Sequence, residues 1–342
     1  MWVVGSFAAF WLAGLLFFPI NLPDWWAVEL VQRHFFAPLE IALAVQLAAV
    51  GWIARRRDTP SLAAPVLTFG ILATTAAALF LHFNFKAWMP FVTPVVYDAA
   101  YARIDGAAAP VVQLFKSVRA AIAAAAPIDV DPLYHHAFVV MFFASLLLHA
   151  LFDAPARFRR FAMTVNLILL AGGVSYWLFP AIGPFIYGPG LNAQSAEAQR
   201  TMLLGLNTAV ASGVLPDGYF VTPPAAMPSL HIAHSVVLAL FAWRLSRPLG
   251  IVYVPIVAWM FIEAVASGFH YLIDLPAGVL LAWFCYRCAV RLVPLPAAAL
   301  ARRSSKSEGG SAAVLLEDGA EFVDRNRANR AAVASRGRRL EQ

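Results

Sequence analysis

The sequence predicts an all-α integral membrane protein, a bundle of about eight transmembrane helices. Of its 342 residues, 61% are hydrophobic and only 13% are charged, whereas about a quarter of the residues in soluble domains are charged. The apolar residues form long blocks separated by short polar stretches, which is the pattern of membrane-spanning helices. The predicted spans are about 2–20, 36–53, 61–83, 132–152, 161–180, 227–243, 249–267 and 269–290.

The first span reads as a retained helix rather than a signal peptide. No basic residue precedes its apolar stretch, and the following "FFPINLPDWW" offers no small-residue cleavage site. We expect Trp25 and Trp26 to anchor its end at the membrane interface.

The basic residues predict the orientation. With the N-terminus inside, three short inner loops hold eight arginines: Arg55, Arg56, Arg57, Arg157, Arg159, Arg160, Arg244 and Arg247. The longer outer stretches hold six basic residues, mixed with acids such as Asp98, Asp105 and Asp217. The positive-inside rule then places both termini in the cytoplasm. We therefore assign the net charge of +6 to rims facing anionic lipid, not to nucleic-acid binding.

Two outer segments and the tail differ from simple connectors. Segment 84–131 contains "APVVQLFKSVRAAIAAAAP", with Lys116 and Arg119 on one helix face, and we expect this helix to lie along the membrane surface. Segment 181–226 is rich in Gly, Pro and Asn and is long for a connection. The tail, about 301–342, is polar and is expected to be disordered or attached to anionic lipid.

Three ionisable residues are predicted to meet at the outer surface. His231 falls at the outer end of the sixth span, and His270 and Asp274 at the outer end of the eighth. If that segment is helical, residues four apart share a face, so Asp274 can reach His270. A carboxylate on one ring nitrogen sets the tautomer and makes the other nitrogen more nucleophilic.

The stretch "PSLHIAHS" supplies the complementary groups. Pro228 suits the first position of a helix, and Ser229 would follow in the first turn, where free N–H groups can bind a phosphate. His231 would lie close enough to protonate a leaving oxygen. An anion site, a nucleophilic imidazole and a proton donor together predict phosphoryl transfer that needs no metal and no cofactor.

Other interpretations stay open. His231 and His234, with His270 and either Asp274 or Glu263, have the chemistry of a zinc site, although no HExxH motif is present. A transporter would instead place its charged residues near the middle of the bilayer. A single histidine in an apolar helix is also commonly a hydrogen-bonded core residue.

At these residues the sequence resembles the type-2 phosphatidic acid phosphatase superfamily of membrane phosphatases and phosphotransferases. The second signature of that family, Pro-Ser-x-His, corresponds to 228–231, and the end of the third, His-x-x-x-Asp, to 270–274. The residues of these two motifs are most similar to those of the inositolphosphorylceramide synthase branch. The resemblance implies a six-helix catalytic core, with His270 as nucleophile, Asp274 as its activator and His231 as acid and then base.

The resemblance has departures that affect the phosphate ligands. At the position of the first signature, Lys-x₆-Arg-Pro, this sequence has Tyr176 in place of the lysine and Gly183 in place of the arginine. The Ser-Arg pair of the third signature is replaced by Glu263 and Ala264. Three basic ligands are thus replaced, which implies other ligands or a less charged substrate such as a phosphodiester.

Replacement ligands can be proposed from the outer surface. The candidates are Ser229, Tyr176, His135, His136, His234, Lys86, Arg200 and Glu263. Lys86 and Tyr176 have an ordinary interfacial role as an alternative. Glu263 has three alternatives: a bond to His234, a bond to a polyol hydroxyl, or a buried protonated carboxyl group.

These expectations define three regions and a function. Residues 1–130 would form N-terminal transmembrane helices and the amphipathic outer segment, 131–295 the catalytic core, and 296–342 the tail. The expected protein is a bacterial inner-membrane enzyme with a periplasmic site, acting on a lipid phosphate or phospholipid in the bilayer. Transfer of inositol phosphate or another polyol phosphate is the branch-level expectation. Hydrolysis of isoprenoid or glycerolipid phosphates by the same three residues is the alternative.

Overall fold

The computed structural model describes residues 2–22, 63–93, 95–217, 219 and 223–295, together with positions 48 and 51. Within these ranges the chain forms ten α-helices, one short 3₁₀-helix at Pro184–Tyr187 and no strand. The α-helices are α1 (Trp2–Gly14), α2 (Ala63–Val92), α3 (Asp98–Ala107), α4 (Ala109–Ala125), α5 (Leu133–Phe152), α6 (Pro155–Leu178), α7 (Ala193–Ser212), α8 (Leu230–Leu245), α9 (Arg247–Ala266) and α10 (Asp274–Leu292).

The fold is an all-α bundle of the membrane type, as the sequence predicts. Five helices, α2, α5, α6, α9 and α10, are long and apolar enough to cross a bilayer. The first and sixth predicted spans become the shorter apolar helices α1 and α8, while α3 and α4 form a pair bent by 84°. The predicted span 36–53 apart from positions 48 and 51, the Trp25–Trp26 anchor, the 55–57 arginines and the tail lie outside the described residues.

Helix α8 lies at the centre of the bundle, in contact with α5, α6, α9 and α10. Its residues Ile232, Ala233, Val237 and Leu238 are all buried. A helix that packs on several neighbours must be apolar around most of its circumference. This environment explains why the short α8 has the composition of a membrane span, and it places the start of α8 among the ends of other helices.

Helix α2 is longer than the hydropathy pattern predicts, because it continues through Asn84 and Lys86 to Val92. The Asn84 side chain is buried and donates to Phe80 O at 3.0 Å and Asn21 O at 3.0 Å, and its Oδ1 accepts from Asn21 N at 2.9 Å. An amide with all these partners can remain inside a helix. The sequence led us to expect Lys86 in an outer loop. The structure places it in a helix long and apolar enough to cross a membrane.

The expectation that the 109–125 helix exposes both its cations at the membrane surface is wrong for Arg119. Helix α4 packs against α9, and Arg119 is 7% exposed. Its Nε donates to Glu263 Oε2 at 3.3 Å, and its Nη2 pairs with Asp131. Arg119 turns inward because two carboxylates on other segments offset the cost of burying its charge.

Candidate active site

His270 and Asp274 are neighbours, but not on a regular helix as expected. Helix α10 begins only at Asp274, and His270 lies in the turn that precedes it. Asp274 Oδ2 accepts from Tyr271 N at 2.8 Å and lies 3.4 Å from His270 Nδ1. The carboxylate thus holds the turn closed through a backbone N–H while it contacts the imidazole. Its other oxygen, Oδ1, is buried without a partner among the described residues.

The partners of His270 define its tautomer. Nδ1 faces two acceptors, Ala226 O at 2.9 Å and Asp274 Oδ2 at 3.4 Å. Since the Ala226 carbonyl can only accept a hydrogen bond, Nδ1 must donate to it and carry the proton. Nε2 of the neutral ring then holds the free electron pair. The site therefore presents a ring nitrogen with a free electron pair on a residue that is only 5% exposed.

His231 is the second residue of α8, and its ring lies 6.3 Å from the ring of His270, measured between centroids. Aromatic side chains of α5 surround it: the ring centroid of Phe138 is 4.4 Å away and that of Tyr134 is 5.0 Å away. The two histidines therefore face one small region in which both can contact the same bound group.

Ser229 is the N-cap of α8 and does not lie in its first turn. Its Oγ accepts from Ile232 N at 3.4 Å, which satisfies one free donor of the helix end. Its own N–H donates to Asp274 O at 3.2 Å, so the starts of α8 and α10 are joined by a backbone hydrogen bond. This contact holds His231 beside the turn that carries His270.

The close approach of α8 and α10 depends on Gly278. A Cβ atom at this position would lie 2.4 Å from Ser229 O, which is far inside van der Waals contact. We expect Gly278→Ala to separate the two helix starts, lower the melting temperature by an amount equivalent to about 1–3 kcal/mol and reduce activity strongly. The matched control is Gly70→Ala within α2, where an added Cβ meets nothing within 4 Å. Equal melting temperatures and activities for the two variants would contradict this account of the crossing.

Helix α3 holds the turn that carries His270 from its other side, a role that sequence reasoning missed. Asp98 is buried and accepts from Ile182 N, from Gly183 N at 2.8 Å and from the Tyr271 hydroxyl at 2.8 Å. Asp105, two turns later, accepts from Leu272 N at 2.9 Å. Burial, together with the bond to Asp98, raises the pKa of Tyr271 well above its ordinary value. Tyr271 therefore remains a hydrogen-bond donor.

Glu263 is fully buried, and among the described residues its carboxylate accepts from Arg119 and Asn192 and not from His234, His231 or His270. Its Oε2 accepts from Arg119, and its Oε1 accepts from Asn192 Nδ2 at 2.5 Å. Asn192 also caps α7 by accepting from Ser195 N at 2.8 Å. Glu263 therefore ties α4 and the start of α7 to α9, which replaces the His234 partnership proposed from the sequence.

His234 belongs to the helix packing and not to the site. It is 1% exposed, its Nδ1 lies 2.9 Å from Leu230 O, and its Nε2 lies 3.4 Å from Val165 O on α6. The proposed zinc set therefore loses two members, His234 and Glu263, to other partners. Within the described ranges, no group of three or more His, Cys, Asp or Glu side chains is arranged to hold a metal ion.

The other predicted ligands lie at different distances from His231 and His270. His135 lies near the site, with its ring 6.1 Å from that of His231, and His136 follows it on α5. Tyr176 is buried, and Lys86 Nζ lies 5.9 Å from the centre of its ring. Arg200 is 67% exposed on α7 and pairs with Glu197, so the structure does not bring it to the histidines.

A second His-x-x-x-Asp pair shows why spacing alone does not define the site. His149 Nδ1 lies 2.9 Å from Asp153 Oδ2, and its ring stacks on Phe161 at 4.3 Å. Burial disfavours the charged form of Asp153, but hydrogen bonds from His149 and Arg157 outweigh it and lower the pKa of that carboxyl. His149 is 14 residues beyond His135 on α5, about 21 Å along the helix. No second histidine is stacked beside it in the described part of the chain.

The fold and the site together define the class: a membrane-embedded helical bundle with two histidines and an aspartate at the ends of adjacent helices. The model of the PAP2 superfamily matches residues 110–288, just over half of the chain, and the protein belongs to this superfamily. Its members are generally phosphatases, and membership suggests phosphatase or phosphotransferase chemistry on lipid phosphates. No curated protein and no solved structure gives a significant match to the chain.

Proposed function

We propose that the protein is a lipid phosphotransferase or phosphatase that works through a phosphohistidine on His270. The observation that carries this proposal is the joint placement of His231 and His270, with rings 6.3 Å apart, and of Asp274 on the Nδ1 side of His270. Reacting atoms approach to about 3–3.5 Å, so a phosphorus atom and its leaving oxygen fit between two such rings.

In the first step, Nε2 of His270 attacks phosphorus and the bond from phosphorus to the leaving alkoxide breaks. His231 gives its proton to that alkoxide, so a neutral alcohol departs. The phosphorylated imidazole keeps its proton on Nδ1, where Asp274 and Ala226 O accept it. The carboxylate thereby stabilises the positive charge that forms on the ring.

In the second step, water or an acceptor alcohol gives its proton to His231 and attacks the same phosphorus. The bond between Nε2 and phosphorus breaks, and His270 returns to its original tautomer. Water yields phosphate or a phosphomonoester, whereas an alcohol yields a new ester. The residues that we propose as contacts of the substrate are His135 and the Lys86–Tyr176 pair. The ring of His135 lies 6.1 Å from that of His231, and Lys86 and Tyr176 interact electrostatically with His231 and Asp274, respectively.

The substrate is proposed to be a lipid phosphate or phosphodiester presented from the outer leaflet, with the site facing the periplasm. The arginines of the short loops support this orientation. Tyr176, Gly183 and Ala264 stand where the family signatures carry basic ligands, which supports a phosphodiester and a transfer of polyol phosphate. Hydrolysis of isoprenoid or glycerolipid phosphates by the same residues is the second candidate function.

The test is product identification. Purified protein in vesicles is incubated with ³²P-labelled phosphatidic acid, an isoprenyl phosphate or phosphatidylinositol, with and without added polyols and acceptor lipids. Labelled inorganic phosphate would identify hydrolysis, and a labelled new phosphodiester would identify transfer. Absence of turnover with all donors would contradict the proposed function. Loss of turnover in EDTA that zinc restores would instead favour the metal-dependent alternative.

A further inference from the structure

A cleft of about 240 Å³ opens beside His270. Its walls come from α3 and α4, from the Pro184–Gly190 segment and from the turn that carries His270; the residues used below are Asp105, Lys116, His270 and Tyr271. Lys116 reaches this cleft from α4, the helix that was expected to lie along the membrane surface. One turn away on the same helix, Arg119 is fixed to Glu263 and Asp131. This ion pair holds α4 against α9, and thereby the backbone from which Lys116 reaches the cleft.

Among the described residues that line the cleft, Lys116 is the only lysine or arginine. Arg119 is held by two carboxylates, Arg200 is paired with Glu197, and Lys86 lies over the ring of Tyr176. Lys116 is half-buried and forms no ion pair within 4 Å with any residue that the structure describes. It interacts electrostatically with Asp105, which lines the same cleft. Lys116 therefore places an ammonium group in the same cleft as the proposed nucleophile, His270.

We propose that Lys116 binds the phosphoryl oxygens of the substrate in this cleft, in place of the basic residues that the family signatures carry elsewhere. The inference rests on the proposed function, since His270 would attack the phosphorus that Lys116 holds. A phosphoryl group gains charge on its oxygens during transfer, so a nearby ammonium stabilises the transition state as well as the bound substrate. Asp105 has the opposite effect, because its carboxylate repels an anion in the same cleft.

The proposal predicts opposite signs for two substitutions in the binding of inorganic phosphate. Lys116→Gln should raise the Kd of phosphate about 10- to 100-fold, because it removes a charge-assisted hydrogen bond. Asp105→Asn should lower the Kd, since the amide oxygen can still accept from Leu272 N while the repulsion is lost. Arg103→Gln is the matched control, because Arg103 is exposed on α3 and does not line the cleft. The Kd of phosphate for this variant should equal that of the wild type.

Equilibrium dialysis of the full-length protein in detergent with ³²P-labelled phosphate measures these constants without any turnover. The inference is overturned if the wild type binds no phosphate, if Lys116→Gln binds it normally, or if Lys86→Gln abolishes binding and Lys116→Gln does not. Turnover of labelled lipids is measured on the same variants. Lys116-dependent binding without turnover of any lipid would leave the inference standing and refute the proposed function. If Lys116→Gln turns over lipid at the wild-type rate, the inference about Lys116 is refuted and the proposed function still stands.

Discussion

Replacement of His270 by alanine is expected to reduce turnover by at least about a thousandfold, because the variant has no atom that can form the bond to phosphorus. The substitution should leave the fold intact. The turn around residue 270 is still held by the backbone bond from residue 270 to Ala264 O at 3.0 Å and by Tyr271 N to Asp274 at 2.8 Å. Melting temperature and elution volume in detergent therefore serve as the control for folding.

The direct measurement is a rapid quench of ³²P-labelled substrate with the wild type and the variant. A phosphohistidine is a phosphoramidate, so the label on the protein should be stable in base and lost in acid. The wild type should carry this label and His270→Ala should not. Activity near the wild-type value, or labelling of a correctly folded His270→Ala variant, would show that another group is the nucleophile.

Replacement of His231 by alanine is expected to have an effect that depends on the leaving group. An alkoxide needs a proton to depart, and loss of the general acid should slow its release about 10²- to 10⁴-fold. Nitrophenolate leaves as a stable anion, so the first step with a nitrophenyl phosphoester should remain fast. His231 also activates the incoming water, and the second step should therefore stall.

The expected signature of His231→Ala is a burst of about one equivalent of nitrophenolate per protein, followed by slow turnover. The ³²P label should accumulate on the protein at the same time. His270→Ala should show no burst with the same ester, and this contrast separates the acid from the nucleophile. An equal loss for alkyl and nitrophenyl esters, without a burst, would mean that His231 has only a structural role.

Much of the fold could be predicted because the signals are local. An apolar block is recognised from a single window, and the all-α bundle follows from the sum of such blocks. Errors occur where a buried polar group has partners far away in the chain. Lys86 was assigned to a loop because Asn84 and Lys86 interrupt the apolar run, yet Asn84 is satisfied by Asn21 and Phe80, and the helix continues.

The candidate site shows the same division. His231, His270 and Asp274 were selected by motif and spacing, and the structure brings them together. His234 has the same chemistry three residues from His231, but it is buried in the core, where its ring nitrogens lie against Leu230 O and against Val165 O of α6. His149 and Asp153 repeat the spacing of His270 and Asp274 without a second histidine ring beside them among the described residues. Only packing distinguishes these cases.

The sequence alone predicted a bundle of membrane helices, the pair of signature motifs and a site built from two histidines and an aspartate. These depend on hydropathy and on separations of a few residues. The tertiary structure decided where the buried polar groups find their partners: Arg119 pairs with Glu263 across 144 residues, Asp98 accepts from the Tyr271 hydroxyl across 173, and Lys116 lines the cleft beside His270. A buried charge is stable only beside a partner, and that partner is chosen by how the helices pack.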